Sequence, residues 1–165
     1  MPELFRTRDC VVLQKGRTTT VSITDAMAVS GWKGAQGVAW AASTTDGFLV
    51  DLSAGEVAGF CLWGSDEVPD EFTAMTRNQP AYKFVVIGFS GWIIMTPTYE
   101  QYTLFSRTHP GPLVSIVYTE NDPLYFSLRG YWTNEKEDPL DEKTGFVAQI
   151  PSSSRNGYMT IQVAL

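Results

Sequence analysis

Short apolar runs, each a few residues long and each ended by a cluster of turn formers, recur along the whole chain. They read "CVVLQ", "TTVSIT", "GVAWAAS", "GFLVDLS", "AGFCLWG", "KFVVIGF", "GWIIMTPT", "YTLFSR", "PLVSIVYT" and "LYFSLRGYWT". Between them stand "QKGR", "TTDG", "SAGE", "HPGP" and "END". Runs this short cannot complete a stable helix, whereas β-branched and aromatic residues at this spacing suit half-buried strands. The pattern predicts an all-β, single-domain antiparallel β-sandwich or barrel over residues 1–165, with long polar loops. One short helical stretch is expected around "DEVPDEFTAM", where carboxylates favour a helix N-terminus.

The closing segment, "GFVAQIPSSSRNGYMTIQVAL", carries the clearest period. Met159, Ile161, Val163 and Leu165 are apolar, and Tyr158, Thr160, Gln162 and Ala164 alternate with them. That is a strand with one buried face. Upstream, Phe146 to Ile150 forms a second run that stops at Pro151, which has no N–H to offer a ladder. Asn156-Gly157 accepts positive φ cheaply, so the two runs predict a hairpin with a loop of about five residues.

Composition narrows the function. The net charge is −6, and the basic residues that do cluster (Arg6, Arg8, Lys15, Arg17) are diluted by Glu3 and Asp9. Direct nucleic-acid binding is therefore not expected, because phosphate contacts need concentrated Lys and Arg. Charged residues are 18% of the chain and aromatics 13%, a surface suited to partner contacts. No apolar run reaches membrane-spanning length, and "MPELFRTRDC" lacks the apolar core of a signal peptide. Cys10 and Cys61 make no disulfide framework, so two free thiols and synthesis in a reducing cytosol are expected.

The chemistry-bearing residues do not assemble into a catalytic pattern. His109, the single histidine, lies in the turn "RTHPGPL" without a G-x-S-x-G nucleophile motif. One histidine and two distant cysteines do not supply a zinc set. The acidic loops "SDEVPDE" (65–71) and "NEKEDPLDEK" (134–143) lack the order of a calcium loop and read as solvated. "SGWK" (30–33) and "KTG" (143–145) fit two elements of penicillin-recognising enzymes, but Gly31 and Gly34 oppose the helix that chemistry requires. Asp66, Glu67, Glu100 and Glu120 offer carboxylate pairs only in the sense that any acidic β protein does. The expectation is a non-enzyme with no catalytic residue, cofactor or metal.

Candidate contact residues follow from position. Trp40, Trp63 and Trp92 sit inside strand-like runs and read as core, whereas Trp32 and Trp132, beside glycines and loops, read as exposed contacts. Residues 1–20 read as an extended N-terminal arm able to add a strand to a partner's sheet edge. Leu4, Phe5, Arg6 and Arg8 would be its contacts.

Two stretches, "PLYFSLRGYWTNE" and "TGFVAQIPSSSRNGYMTIQVAL", together with the earlier "GFLVDLS" and "GFCLWGS", carry a family likeness. The chain resembles the capsid decoration (cement) proteins of tailed bacteriophages. The likeness runs from Gly111 to Leu165 and is looser over Gly47 to Ser65. Residues 1–46 and the acidic loop 134–143 have no counterpart in it. The resemblance implies a virion protein on the outer capsid surface, made in the bacterial host cytoplasm, that bridges neighbouring subunits of the major capsid protein. A homo-oligomer, dimer or trimer, is expected with it. Another phage structural component (neck, tail or fibre base), or a carbohydrate-binding β-sandwich module, remains an alternative.

Overall fold

The computed structural model describes residues 5–6, 9–40, 49–51, 56–65, 84–137 and 142–165. Its strands are β1 (Phe5–Arg6), β2 (Val11–Gln14), β3 (Thr18–Ile23), β4 (Gly37–Trp40), β5 (Leu49–Asp51) and β6 (Val57–Cys61). They continue with β7 (Phe84–Gly88), β8 (Ile93–Thr96), β9 (Pro123–Phe126), β10 (Trp132–Thr133), β11 (Gly145–Gln149) and β12 (Met159–Val163). Two short helices, α1 (Asp25–Ser30) and α2 (Leu104–Thr108), and a 3-10 turn at Ser153–Arg155 complete the description.

The architecture is mostly β and sandwich-like, as the turn spacing predicts. The larger sheet runs β1-β2-β8-β12-β11-β9 with every neighbour antiparallel, and the two-residue β10 extends it beyond β9. The second sheet has four antiparallel strands, β4-β6-β7-β3. Its outer strands are bridged by β5, which pairs antiparallel with β4 and parallel with β3 over two residues each. That parallel pair, with the isolated parallel bridge between Tyr99 and Trp132, departs from the expected antiparallel pattern.

Apolar burial explains why the sheets face each other. Phe60 and Leu62 of the second sheet's side pack with Val12, Ile94, Val147, Met159 and Ile161 of the larger one. The Phe60 ring meets Trp92 edge-on at 5.9 Å and Trp132 at 6.2 Å, geometry that favours the aromatic quadrupoles as well as the buried area. A smaller cluster of Val21, Ile23, Met27, Trp32, Val38, Cys61 and Ile87 fills the curl of the second sheet under α1.

The closing hairpin forms where its alternation predicts, but its loop is nine residues (150–158), built around the 3-10 turn, and not the expected five or so. Met159, Ile161 and Val163 are buried, and β12 lies between β8 and β11. Asn156 (φ 56°) and Gly157 (φ 77°) take the left-handed turn positions. Gly145 at the start of β11 is required by space, since a Cβ there would stand 2.5 Å from the Gln162 carbonyl oxygen.

Several expectations are corrected. "YTLFSR" is helix α2, because the Thr103 side chain caps the Ser106 N–H and offers the backbone a helical start. "PLVSIVYT" stays extended but pairs as a ladder only at Ser115, opposite Tyr102. The helix expected around "DEVPDEFTAM" falls on residues outside those described.

Trp32 and Trp132 are not exposed contacts. Both are buried, and each finds a carbonyl for its indole N–H, Trp63 for the former (2.9 Å) and Ala35 for the latter (2.8 Å). The Phe126 ring, tilted against Trp132 at 4.4 Å, occupies the space that a Gly37 side chain would take. Replacing Trp132 by Ala is expected to cost about 3–5 kcal/mol in urea unfolding, whereas a surface contact would change stability by less than about 0.5 kcal/mol.

Candidate interaction surface

Residues 97–137 build a lobe at the β9–β10 end of the larger sheet. Trp132 is its hinge to the core: the Glu100 N–H donates to the Trp132 carbonyl (2.8 Å), and the Trp132 N–H donates to that of Thr98 (3.2 Å). Threonines fix the segment entering the lobe, Thr96 through a hydroxyl bond to the Asp9 carbonyl and Thr98 through one to Gly34. The chain then returns antiparallel to itself, with the Thr103 N–H on Val114 O and the Ile116 N–H on Gln101 O.

Glu100 is the centre of this lobe and is fully buried. Its carboxylate lies between two guanidinium groups. Arg129 donates Nε to Oε1 at 2.7 Å and brings Nη2 to the same oxygen, and Arg107 Nη1 reaches Oε2 at 3.0 Å. Arg107 spends its remaining donors within the lobe, Nη2 on Glu137 (2.9 Å) and Nε on the Tyr102 carbonyl (3.0 Å). The Arg129 guanidinium also lies 4.0 Å from the Tyr131 ring centroid. The pairing raises the Arg129 pKa further above its usual value, chiefly through the hydrogen bond to Glu100. Two cations and two anions thus cancel.

The described part of the acidic loop 134–143 is not simply solvated, which corrects the sequence reading. The Glu137 side chain is 2% exposed against Arg107, and Glu135 accepts the Leu104 N–H at the start of α2 (3.0 Å). Asn134 donates to the Val117 carbonyl and to Asp122. Counter-charge and an unpaired helix N–H draw these groups inward against their mutual repulsion.

The segments tied by this compensated network also carry exposed apolar side chains. Phe105 (69%), Leu113, Val114, Val117 (81%) and Leu128 (73%) are all exposed. The network ties their segments together: α2 through Arg107 and Glu135, residues 113–117 through Thr103 and Asn134, and Leu128 through its N–H to Glu137 (3.4 Å). His109 stacks on Phe105 with ring centroids 4.1 Å apart and caps the end of α2, in keeping with its reading as a turn residue. Exposed apolar side chains of this size on one lobe make it the candidate contact surface among the described residues.

The other sequence candidates lie elsewhere. Phe5 and Arg6 are β1, whose backbone pairs with Val12 and Val11 of the chain's own β2. Over those residues the expected strand addition is satisfied within the molecule. Residues 11–14 and 18–20 of the expected arm are sheet strands as well. Leu4 and Arg8 fall outside the described residues, as do Asp66 and Glu67. Ser30 closes α1 ahead of Gly31 (φ 72°) and so does not open a helix toward Lys33.

The lobe's apolar residues were missed because both of their runs read as strands. A signal was present in "PLVSIVYT": Ile116 and Tyr118 turn inward, which puts Leu113 and Val117 on the outward face with Ser115. Comparison with protein-family models and with curated proteins returns no match for this chain.

Two predictions follow from the charges and buried acids. Glu100→Ala removes the carboxylate that Arg107 and Arg129 share, leaving Arg107 with Glu137 and the 57% exposed Arg129 to solvent, and is expected to cost about 1–3 kcal/mol, measured by chemical denaturation. Burial also pushes the Tyr118 phenol above its usual 10.0 and the Cys61 thiol above its usual 9.0, Cys10 adding to the latter. The unfolded chain releases these protons first, so above those values it binds fewer protons than the folded chain. Stability is therefore full below about pH 9 and is lost as pH rises beyond it, and C61A/Y118F should flatten that fall in a urea-midpoint series.

Proposed function

We propose that this chain is a non-enzymatic virion structural protein of the decoration type, held on the outer capsid surface by contacts with the major capsid protein. The observation that carries the reading is the set of exposed apolar side chains, Phe105, Leu113, Val114, Val117 and Leu128, on a lobe braced from within by Glu100 and its arginines. Binding energy would come from covering those side chains. The residues beneath them carry balanced charge, so a capsid surface would displace water there without leaving an ion unpaired.

Several further features support the reading. The net charge of −6 suits the outside of a DNA-filled shell better than its lining. The likeness over residues 111–165 includes much of the lobe itself. A protein that binds the assembled shell, and not the free subunits, stabilises that shell by mass action. Self-association into a dimer or trimer would let one particle bridge neighbouring subunits, and belongs to the same proposal.

The test is co-sedimentation with empty capsids. The wild-type protein is expected to pellet with them, and V117D/L128D to lose about tenfold or more in apparent affinity while keeping its melting temperature. A wild-type protein that stays in the supernatant at all capsid concentrations would defeat the proposal.

A further inference from the structure

Next to the apolar face, on the side of the closing hairpin, lies an open groove of about 330 Å³. Its walls are Tyr99, Gln101, Tyr102, Ser115, Ile116 and Tyr118, with Ile150 and Pro151 at one end. None of these side chains is charged, in a chain with 12 basic and 18 acidic residues. A charged ligand would leave its water here without meeting a counter-ion, which disfavours it.

The lining combines ring and aliphatic surface with hydrogen-bonding tips. Tyr99 gives its proton to the Gly157 carbonyl (2.7 Å), so its oxygen is left as an acceptor. The phenol of Tyr118 is spent inside the lobe on the Glu100 carbonyl (2.7 Å), and its ring, packed edge-on against Tyr99 at 5.6 Å, supplies wall. The hydroxyls of Tyr102 and Ser115 and the amide of Gln101 have no side-chain partner among the described residues. They offer donors and acceptors together. A wholly apolar ligand would strip these tips of water without replacing it, and a proline-rich segment, lacking N–H groups, would give nothing to the Tyr99 oxygen.

We infer that this groove binds an uncharged saccharide. A sugar presents C–H faces to aromatic rings and hydroxyls that both give and accept hydrogen bonds, which is the pairing these walls call for. The volume lies at the small end of ligand pockets, fitting a short unit or chain end with the rest in solvent. This inference stands apart from capsid binding: the groove and the apolar face use different side chains.

The experiment is a glycan array carrying neutral, sialylated and sulfated oligosaccharides, probed with the labelled full-length protein and followed by calorimetric titration of the best neutral oligosaccharide. Retention of neutral glycans is expected, with affinity reduced about tenfold in Tyr102→Ala and several-fold in Gln101→Ala. Both variants should keep the wild-type melting temperature, and V117D/L128D, altered only on the apolar face, should bind the neutral glycan as wild type does. No neutral glycan above background, binding of charged glycans alone, or wild-type affinity in Tyr102→Ala would each overturn the inference. Preference for a proline-rich peptide over every sugar would overturn it too.

Discussion

A carboxylate cut off from water must find its counter-charge within the protein, and Glu100 finds it in Arg107 and Arg129. Much of the lobe's shape follows from that requirement. Arg107 reaches Glu100 from the last turn of α2, so the helix is fixed over the residue it serves. Arg129 reaches it from the turn between β9 and β10, so that turn folds back toward residues 98–100. The Arg107 fork also holds Glu137, which brings in the stretch after β10. A buried pair of this kind adds little net stability against an apolar alternative, but its directionality selects one arrangement of three segments that hydrophobic contact alone would leave loose.

The lobe is joined directly to the packed core beneath it. Trp132 belongs to both: its ring lies against Phe60 and Phe126 in the interior, while its backbone receives the Glu100 N–H. The segment bearing Glu100 is therefore hydrogen-bonded directly to a residue of the inter-sheet core. Binding surfaces held this way lose little conformational entropy on association, so more of the covered apolar area is available as affinity.

The parts legible in the sequence were those governed by local period. β2 and β3 follow from short apolar runs bounded by turn formers, and the β11–β12 hairpin from alternation and from Asn156-Gly157, because one face of β12 must be buried and the turn must accept positive φ. What was illegible depended on partners far away along the chain. Trp132 looked exposed beside Gly130, since nothing local tells of Ala35 or Phe60 across the core. "NEKEDPLDEK" looked solvated because Arg107, thirty residues from Glu137, is the group that draws that carboxylate inward. The "YTLFSR" run has β-formers enough for a strand, and a single capping threonine together with Glu135 tips it to helix. The apolar face itself went unread because a strand's outward residues are judged only once its neighbours are known.

The position of β12 has a consequence for how the protein comes to be folded. Residues 159–163 leave the ribosome after all the other strands, yet they fill the middle of the larger sheet, between β8 and β11. Until they arrive, those two strands have no bridge across the gap, and their unpaired edges and the apolar residues of the half-built core face solvent together. Completion of the sheet is thus a late, nearly all-or-none event in biosynthesis.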